Sequence, residues 1–172
     1  HDLYEVTLLV ATNKGCTNSI TKPLEVYPVP VPNYTQIGQC EEQTVRFSDD
    51  SEMDYMFGSV MVKWDWEFGD GNKATNRTVG NFYQEPGYYN ILLTPFSNYG
   101  CNTTESFEVL IRPKPQAKIL IKDDHVCAQN EIHFQDETYF DYTYDTAGVN
   151  YWNWDFGDGN TSENQHPKNT FV

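Results

Sequence analysis

Two pairs of acidic residues could perform acid–base chemistry: Glu67 with Asp70, and Asp155 with Asp158. Glycosidases use such pairs, with one carboxyl group as the proton donor and the other as the base or nucleophile. Both pairs, however, lie within the same six-residue pattern of Trp, acid, Phe, Gly, Asp and Gly. In a turn of this kind the Asp side chain caps backbone amides. We therefore favour a structural role for these carboxylates, and we predict no catalytic residues and no enzymatic activity.

A run of carboxylates at Asp49, Asp50, Glu52 and Asp54, with a further acidic pair at 123–124, could bind a divalent cation. Calcium takes oxygen ligands of this kind, and extracellular modules bind it weakly. No EF-hand spacing is present, and a solvated acidic face is the simpler interpretation. Calcium is thus the one cofactor that stays open, and no other is predicted.

His125, Cys127 and His133 offer ligand types that zinc prefers. Their spacing matches no common zinc template. We interpret the two histidines as surface residues and Cys127 as half of a disulfide.

Two aromatic loops precede the tryptophan-rich segments and are the best candidates for ligand contact. Exposed aromatic rings stack on sugars, although rings in such loops also cover the end of a domain or a junction between domains. The candidates are Tyr55, Phe57, Tyr139, Phe140, Tyr142 and Tyr144.

Short glycosylation patterns are also present, and an Asn- and Thr-rich chain produces some of them by chance. The N-linked sequons begin at Asn33, Asn76, Asn102 and Asn160, and Asp-Thr-Ala at 145–147 makes Thr146 an O-linked candidate.

The six-residue pattern must be positioned by a β-strand. Large aromatic residues alternate with polar ones on its amino-terminal side, which is the period of a half-buried strand, and Gly-Asp-Gly then favours a tight turn. The two copies are 88 positions apart, and a period of that size means tandem domains. The motif residues are Trp64, Trp66, Phe68, Gly69, Asp70 and Gly71 in the first copy, and Trp152, Trp154, Phe156, Gly157, Asp158 and Gly159 in the second.

A hairpin pattern repeats as well, with an offset of 85: residues 3–27 match residues 88–112. The proline-rich segments 28–32 and 113–115 follow the two hairpins and read as stiff linkers. The sequence therefore predicts three parts: a carboxy-terminal hairpin of an upstream domain at 1–27, a complete domain at 28–112, and a downstream domain at 113–172 that lacks its last strands.

Composition limits the class of protein. The 172 residues carry a net charge of −14, which argues against nucleic acid and anionic membrane surfaces as partners. No apolar run is long enough to cross a bilayer, and no signal peptide is evident. Because no long stretch shows helical spacing of apolar residues, we predict an all-β protein.

These motifs resemble the PKD (polycystic-kidney-disease) domain. The resemblance rests on the run Trp-Asp-Phe-Gly-Asp-Gly-Asn at 154–160 and on Tyr83-x-x-Pro-Gly-x-Tyr-x-Ile-x-Leu93. It implies tandem immunoglobulin-like β-sandwiches, one complete and two partial. It also implies a spacer, adhesion or carbohydrate-contact module on an exported protein, without catalysis. Glu67, where the family usually has Asp, is a departure that leaves the alternation intact.

The cysteine placement is similar to that of PKD repeats in large bacterial surface adhesins and gliding-associated proteins. Four cysteines allow three pairings, and the repeat favours Cys40 with Cys101, which lie at complementary points of the complete domain. Cys16 and Cys127 would then find partners outside this chain. Disulfides imply an oxidising, extracellular or cell-surface location, whereas the alternative is four free thiols in a cytosolic protein.

Incomplete sandwiches expose sheet edges and need completion. The missing strands would come from neighbouring repeats of one longer polypeptide or, by strand donation, from adjacent copies, giving a head-to-tail filament. The sequence thus predicts a structural or adhesive segment of a long surface fibre, whose partners are neighbouring PKD-like repeats and, in the alternative, surface glycans. Its competitors are a carbohydrate-binding or spacer module of a secreted hydrolase and, well below these, a hydrolase with its site in the acidic loops.

Overall fold

A computed structural model describes residues 2–55, 58–122, 126–144 and 148–172. Every regular element in these ranges is a β-strand, which confirms the all-β prediction. The strands are β1 (Asp2–Ala11), β2 (Thr17–Val26), β3 (Tyr34–Ile37), β4 (Thr44–Asp49), β5 (Met61–Glu67), β6 (Lys73–Ala74), β7 (Thr78–Phe82), β8 (Gly87–Ser97), β9 (Glu105–Ile111), β10 (Ile119–Ile121), β11 (Glu131–Asp136), β12 (Trp154–Asp155), β13 (Thr161–Ser162) and β14 (Lys168–Thr170).

A complete β-sandwich is formed by β3 to β9. One sheet has the order β3-β4-β7, and the other has the order β6-β5-β8-β9. Alternation places Phe47 of β4 and Trp66 of β5 on the inner faces, where their ring centroids are 6.1 Å apart. Phe68 packs 5.5 Å from Phe47. All three rings are almost fully buried, so the aromatic strand anchors the core as its pattern predicts.

The registers of the β5–β8 and β4–β7 pairs determine which side chains lie opposite each other. Trp66 on β5 is opposite Leu93 on β8, and Phe47 on β4 is opposite Val79 on β7. Since side chains alternate across a strand, a slip of one residue would turn every core residue outward. Ile91, Leu93 and Val109 accordingly line the interior.

The connection between β3 and β4 is hydrogen-bonded to the segment that follows β9. Cys40 and Arg112 form a parallel bridge. The Arg112 amide donates to the Gln39 carbonyl at 2.6 Å, and the Glu41 amide donates to the Arg112 carbonyl at 2.9 Å. We name this pair of segments the terminal clamp, residues 39–41 and 112.

The β1–β2 hairpin forms a sheet of its own. Its antiparallel register runs from Asp2 opposite Val26 to Ala11 opposite Thr17. Both strands are exposed along their whole length. An isolated two-stranded hairpin is marginally stable in water, so this one is incomplete as a folding unit.

The remaining strands form two small sheets, β10-β11-β14 and β12-β13. They repeat the pairing of the complete sandwich: Ile119 is opposite Asp136 as Tyr34 is opposite Asp49. We call residues 113–172 the open sandwich, because no strand in the described part of it corresponds to β8 or β9.

Two compact units are distinguished, residues 1–38, 43–82 and 88–109 in the first and residues 39–42, 83–87 and 110–172 in the second. The predicted domain boundaries at 27 and 112 stay a prediction. In the described ranges there is no helix of the length and apolarity that crossing a bilayer requires.

Candidate functional site

The Gly-Asp-Gly turn after β5 is held by a carboxylate and two amides. The Asn72 backbone amide donates to Asp70 Oδ1 at 2.9 Å. The Asn72 side-chain amide donates to Asp70 Oδ2 at 3.0 Å and to Asn81 Oδ1 at 3.0 Å. Asn81, which is buried on β7, donates to Asp70 Oδ2 at 2.7 Å. This Asp–Asn–Asn latch ties the turn to the opposite sheet.

The second copy builds the same latch from Asp158, Asn160 and Asn169. Asn160 donates to Asp158 through its backbone at 2.9 Å, and Asn169 donates to it through its side chain at 2.8 Å. The hydrogen bond from Asn169, together with the Asn160 amide, lowers the pKa of Asp158. A carboxylate that is this well supplied with donors stays ionised and is a poor proton donor. The latch is therefore structural in its chemistry.

Each tryptophan strand adds one further fixed contact. Trp66 Nε1 donates to the Asn76 carbonyl at 3.0 Å, and Trp154 Nε1 donates to the Asn164 carbonyl at 2.8 Å. The other acidic residues of the motif are also occupied: Glu67 pairs with Lys73, and Asp155 accepts from the Gly157 amide. The predicted turn-capping role therefore has direct geometric support in both copies.

The partner asparagines Asn81 and Asn169 were missed by sequence reasoning. They are 11 residues beyond the aspartates, on a strand of the facing sheet, so no local pattern points to them. The signal that could have found them is the offset of 88, which they share with the rest of the motif.

The structure does not support the calcium interpretation of Asp49, Asp50, Glu52 and Asp54. Asp49 is buried and accepts hydrogen bonds from the Ser51 amide and hydroxyl, and Arg77 lies 3.7 Å away. Among the residues described, no three His, Cys, Asp or Glu side chains converge as a metal site. The acidic run fails as a cage because its first carboxylate points inward and is used by the chain itself.

Asp136 of the open sandwich is the counterpart of Asp49. It accepts from Thr138, from Trp152 Nε1 at 2.9 Å and from Gln165 at 3.2 Å. Burial raises the pKa of Asp136, but these hydrogen bonds outweigh burial and lower the pKa to about 2. In the complete sandwich Asp49 Oδ2 and Trp64 Nε1, the equivalent two atoms, are both buried and have no hydrogen-bond partner.

The zinc candidates are not assembled in the described residues either. His133 lies 3.2 Å from Glu131, and Cys127 is exposed. His125 lies outside the described residues.

The aromatic loop residues are only partly described. Tyr55, Tyr139 and Tyr142 are exposed, and Phe140 and Tyr142 meet edge to face at 5.1 Å. Tyr144 is half-buried, and Phe57 lies outside the described residues. A glycan contact through these rings stays a prediction.

The four cysteines are free thiols in the structure, so the predicted Cys40–Cys101 disulfide is not formed. The reason is geometric. Cys40 bridges to Arg112, which follows the carboxyl end of β9, whereas Cys101 precedes its amino end. A strand of seven residues spans about 20 Å, and the Cα atoms of a disulfide must lie within about 7 Å.

The sequon asparagines differ in whether the side-chain nitrogen is engaged in a hydrogen bond. Asn33 and Asn76 are exposed, and Asn102 donates to the Gly100 carbonyl. Asn160 uses its side-chain nitrogen within the latch, so a glycan there would break the latch. Thr146 lies outside the described residues.

Large apolar side chains are exposed along the hairpin and in the open sandwich. Val6 and Leu8 on β1 are 53% and 60% exposed. In the open sandwich, Trp154 and Phe156 are only half-buried. A groove of about 240 Å³ opens beside them, lined by residues that include Ile119, Val149, Trp152 and Trp154. Surfaces of this size and character mark interaction sites.

Two antiparallel sheets pack face to face, and the aromatic side chains of β5 fill the core between them. This arrangement, with the latched turn after β5, defines an immunoglobulin-like β-sandwich. Within that class, the chain belongs to the PKD domain family, whose sequence model matches residues 25–111.

Solved structures of similar fold are PKD domains and a carbohydrate-binding module. The PKD1 domain of Vibrio anguillarum Epp shares 20% identity over 50% of this chain and 96% of its own, with a TM-score of 0.44. The PKD1 domain of the Vibrio cholerae metalloprotease PrtV shares 21% sequence identity over 50% of this chain and 98% of its own, with a TM-score of 0.40. A carbohydrate-binding module of the β-sandwich superfamily shares 14% sequence identity over 67% of this chain and 56% of its own, with a TM-score of 0.44.

Proposed function

We propose that this chain is a non-enzymatic structural segment of an extracellular, cell-surface fibre, of the kind formed by large adhesins and gliding-associated proteins. In this fibre each open sandwich is completed by the β1–β2 hairpin of the next unit. The observation that supports the proposal is that the two exposed apolar surfaces correspond in sequence to the two sides of an interface that is buried in the complete sandwich.

The hairpin is a copy of β8–β9. Its turn has the same hydrogen bonds: the Gly15 amide donates to the Thr12 carbonyl at 3.0 Å, as the Gly100 amide donates to the Ser97 carbonyl at 2.9 Å. Both glycines have a left-handed conformation, with φ of 84° and 83°. The β1–β2 hairpin thus already has the turn conformation that β8–β9 has within the complete sandwich.

The apolar face of the hairpin matches as well. Val6 and Leu8 correspond to Ile91 and Leu93, which are fully buried in the complete sandwich. Burial of one such side chain contributes about 1.5–3 kcal/mol. Burial of the hairpin against a surface like the one that β8–β9 covers is therefore strongly favourable.

The open sandwich presents that surface. Trp66 lies opposite Leu93 and is 1% exposed, whereas its counterpart Trp154 is half-buried and, in the described ranges, has no β8-like strand beside it. In the isolated chain the occupant is the hairpin of a second copy, added by strand complementation. In a longer polypeptide the adjoining repeat supplies the same strands by the same geometry. Because the two surfaces differ, the contact is head-to-tail and propagates.

Gly157 offers a sharp test of this arrangement. A Cβ on its counterpart Gly69 would lie 2.8 Å from the Asn90 carbonyl oxygen on β8, whereas a Cβ on Gly157 meets nothing within 4 Å. Asn90 corresponds to Glu5 on the hairpin. A seated hairpin would therefore clash with Gly157→Ala. Gly159→Ala is the matched control, since its counterpart Gly71 has open space and a similar positive φ.

The experiment is light scattering on the size-fractionated chain over a range of concentrations, with negative-stain electron microscopy of the concentrated sample. We expect the mass of the wild type and of Gly159→Ala to rise with concentration toward beaded filaments. We expect Gly157→Ala to associate about tenfold or more weakly. A wild type that stays at the mass of one chain at every concentration would refute the proposal.

A second candidate function is glycan binding, which the exposed Tyr139 and Tyr142 favour. A glycan array with the wild type and the double variant Tyr139→Ala and Tyr142→Ala separates the two. A fibre segment gives no signal above background, whereas a binding module gives a signal that the double variant loses.

A further inference from the structure

We propose that Cys101 of one copy and Cys127 of the next form a disulfide across the head-to-tail junction. This inference rests on the proposed function, and it assigns a role to two thiols that form no disulfide within the chain. It follows from where the repeat places each sulfur relative to one residue, Tyr27.

Cys40 lies beside Arg112 in the terminal clamp. Cys40 bridges in parallel to Arg112, and the Arg112 backbone bonds to both sides of Cys40, at Gln39 and Glu41. The residue that follows β9 therefore lies directly beside this cysteine.

The same relation carries over to the junction between copies. Cys127 corresponds to Cys40 with an offset of 87, and Tyr27 corresponds to Arg112 with an offset of 85. When the hairpin of one copy completes the open sandwich of the next, Tyr27 takes the place of Arg112. It then lies beside Cys127 of the copy that receives the hairpin.

Cys101 lies beside Tyr27 in its own chain. The Cys101 sulfur is 4.0 Å from the Tyr27 carbonyl oxygen. The Tyr27 and Tyr99 rings stack at 3.7 Å with an interplanar angle of 14°, which holds the β8–β9 turn against the start of the proline linker. Cys101 and the incoming Cys127 are thus both placed next to Tyr27.

Accessibility fits this assignment. Cys127 is exposed, and Cys101 is half-buried against Tyr27. Because all four thiols are free within the chain, a disulfide partner for either one would come from a neighbouring unit.

The bond forms by thiol–disulfide exchange with a small disulfide such as oxidised glutathione. The Cys127 thiolate attacks one glutathione sulfur and releases one reduced glutathione, and the Cys101 thiolate then displaces the second. Two protein thiols are oxidised to one disulfide, and one glutathione disulfide is reduced to two thiols, so atoms and electrons balance.

The test uses a Cys16→Ser and Cys40→Ser background, in which Cys101 and Cys127 are the two remaining thiols. Incubated with oxidised glutathione, this protein should give a ladder of covalent oligomers on a non-reducing gel, and the ladder should collapse on reduction. Adding Cys101→Ser or Cys127→Ser to the background should each abolish the ladder. A mixture of these two variants should give one covalent dimer and nothing larger, because each copy then offers one complementary thiol.

The possible results distinguish failure of the disulfide from failure of fibre assembly. Assembly in light scattering without a Cys101–Cys127 peptide in the mass spectrum would overturn the disulfide and leave the fibre standing. Absence of assembly would overturn both. A Cys101–Cys127 bond within a single chain at monomer mass, or a ladder that persists in either single variant, would also overturn the inference.

Discussion

The two copies of the tryptophan motif share their local geometry and differ in burial. The latch, the indole hydrogen bond and the glycine conformations are the same in both, with Gly69 and Gly157 at φ of 78° and 77°. Trp66, however, is almost fully buried, whereas Trp154 is half-buried. The motif therefore shapes its own turn, while the hairpin that follows it in sequence supplies the core. The proposed strand donation between repeats depends on this separation.

The largest expected effect comes from truncating the two indoles. Trp66→Ala should destabilise the complete sandwich by about 3–5 kcal/mol, since it leaves a cavity in a closed core. Trp154→Ala should cost the open sandwich well under half of that at a dilution where the chain is monomeric, because water already reaches the ring. Guanidinium unfolding followed by circular dichroism measures both. Equal losses would show that the open sandwich has a closed core of its own.

A second comparison uses the two glycines at the same position. Gly69→Ala should cost more than the 1–2 kcal/mol of a left-handed alanine, since its Cβ would lie 2.8 Å from the Asn90 carbonyl oxygen. Gly157→Ala should cost only the conformational part in the monomer, because nothing lies within 4 Å. Thermal unfolding of dilute samples measures the difference. If Gly157→Ala is as damaging as Gly69→Ala, a strand already covers the open sandwich in the monomer.

The smallest expected effect is an acid transition confined to the open sandwich. The ordinary Asp pKa is 3.8 and that of folded Asp136 is about 2, so its contribution to stability is complete above about pH 4. That contribution disappears as the pH falls toward 2. Tryptophan fluorescence during acid titration should report it. Asp136→Asn should flatten this part of the curve, and Trp152→Phe, which removes one donor, should move the transition to higher pH. A curve that Asp136→Asn leaves unchanged would contradict the assignment.

The strands and the repeat were predictable because they depend on local alternation. Trp66 and Phe68 lie on one face by period two alone, and in the core they meet Phe47 of the facing sheet. The Gly-Asp-Gly turn was likewise predicted from residue types that allow positive φ.

The long-range pairings could not be predicted in the same way. Asn81 reaches Asp70 from the facing sheet, and which strand faces which is a property of the whole fold. The Cys40–Cys101 disulfide was wrong for a related reason: complementary positions in the repeat do not measure distance, and β9 separates the two. For the acidic run at 49–54, the sequence favoured a solvated face over a calcium site, but a count of carboxylates could not show that Asp49 turns inward.

The terminal clamp has a consequence for how the sandwich carries load. A pull on the two ends of residues 28–112 reaches β3 before it reaches residues 39–41, and β3 is paired with β4 in antiparallel register. We expect β3 to separate first, after which the parallel pairing of residues 39–41 with residue 112 is loaded in shear. The two backbone hydrogen bonds of the clamp then bear the force together rather than one after the other.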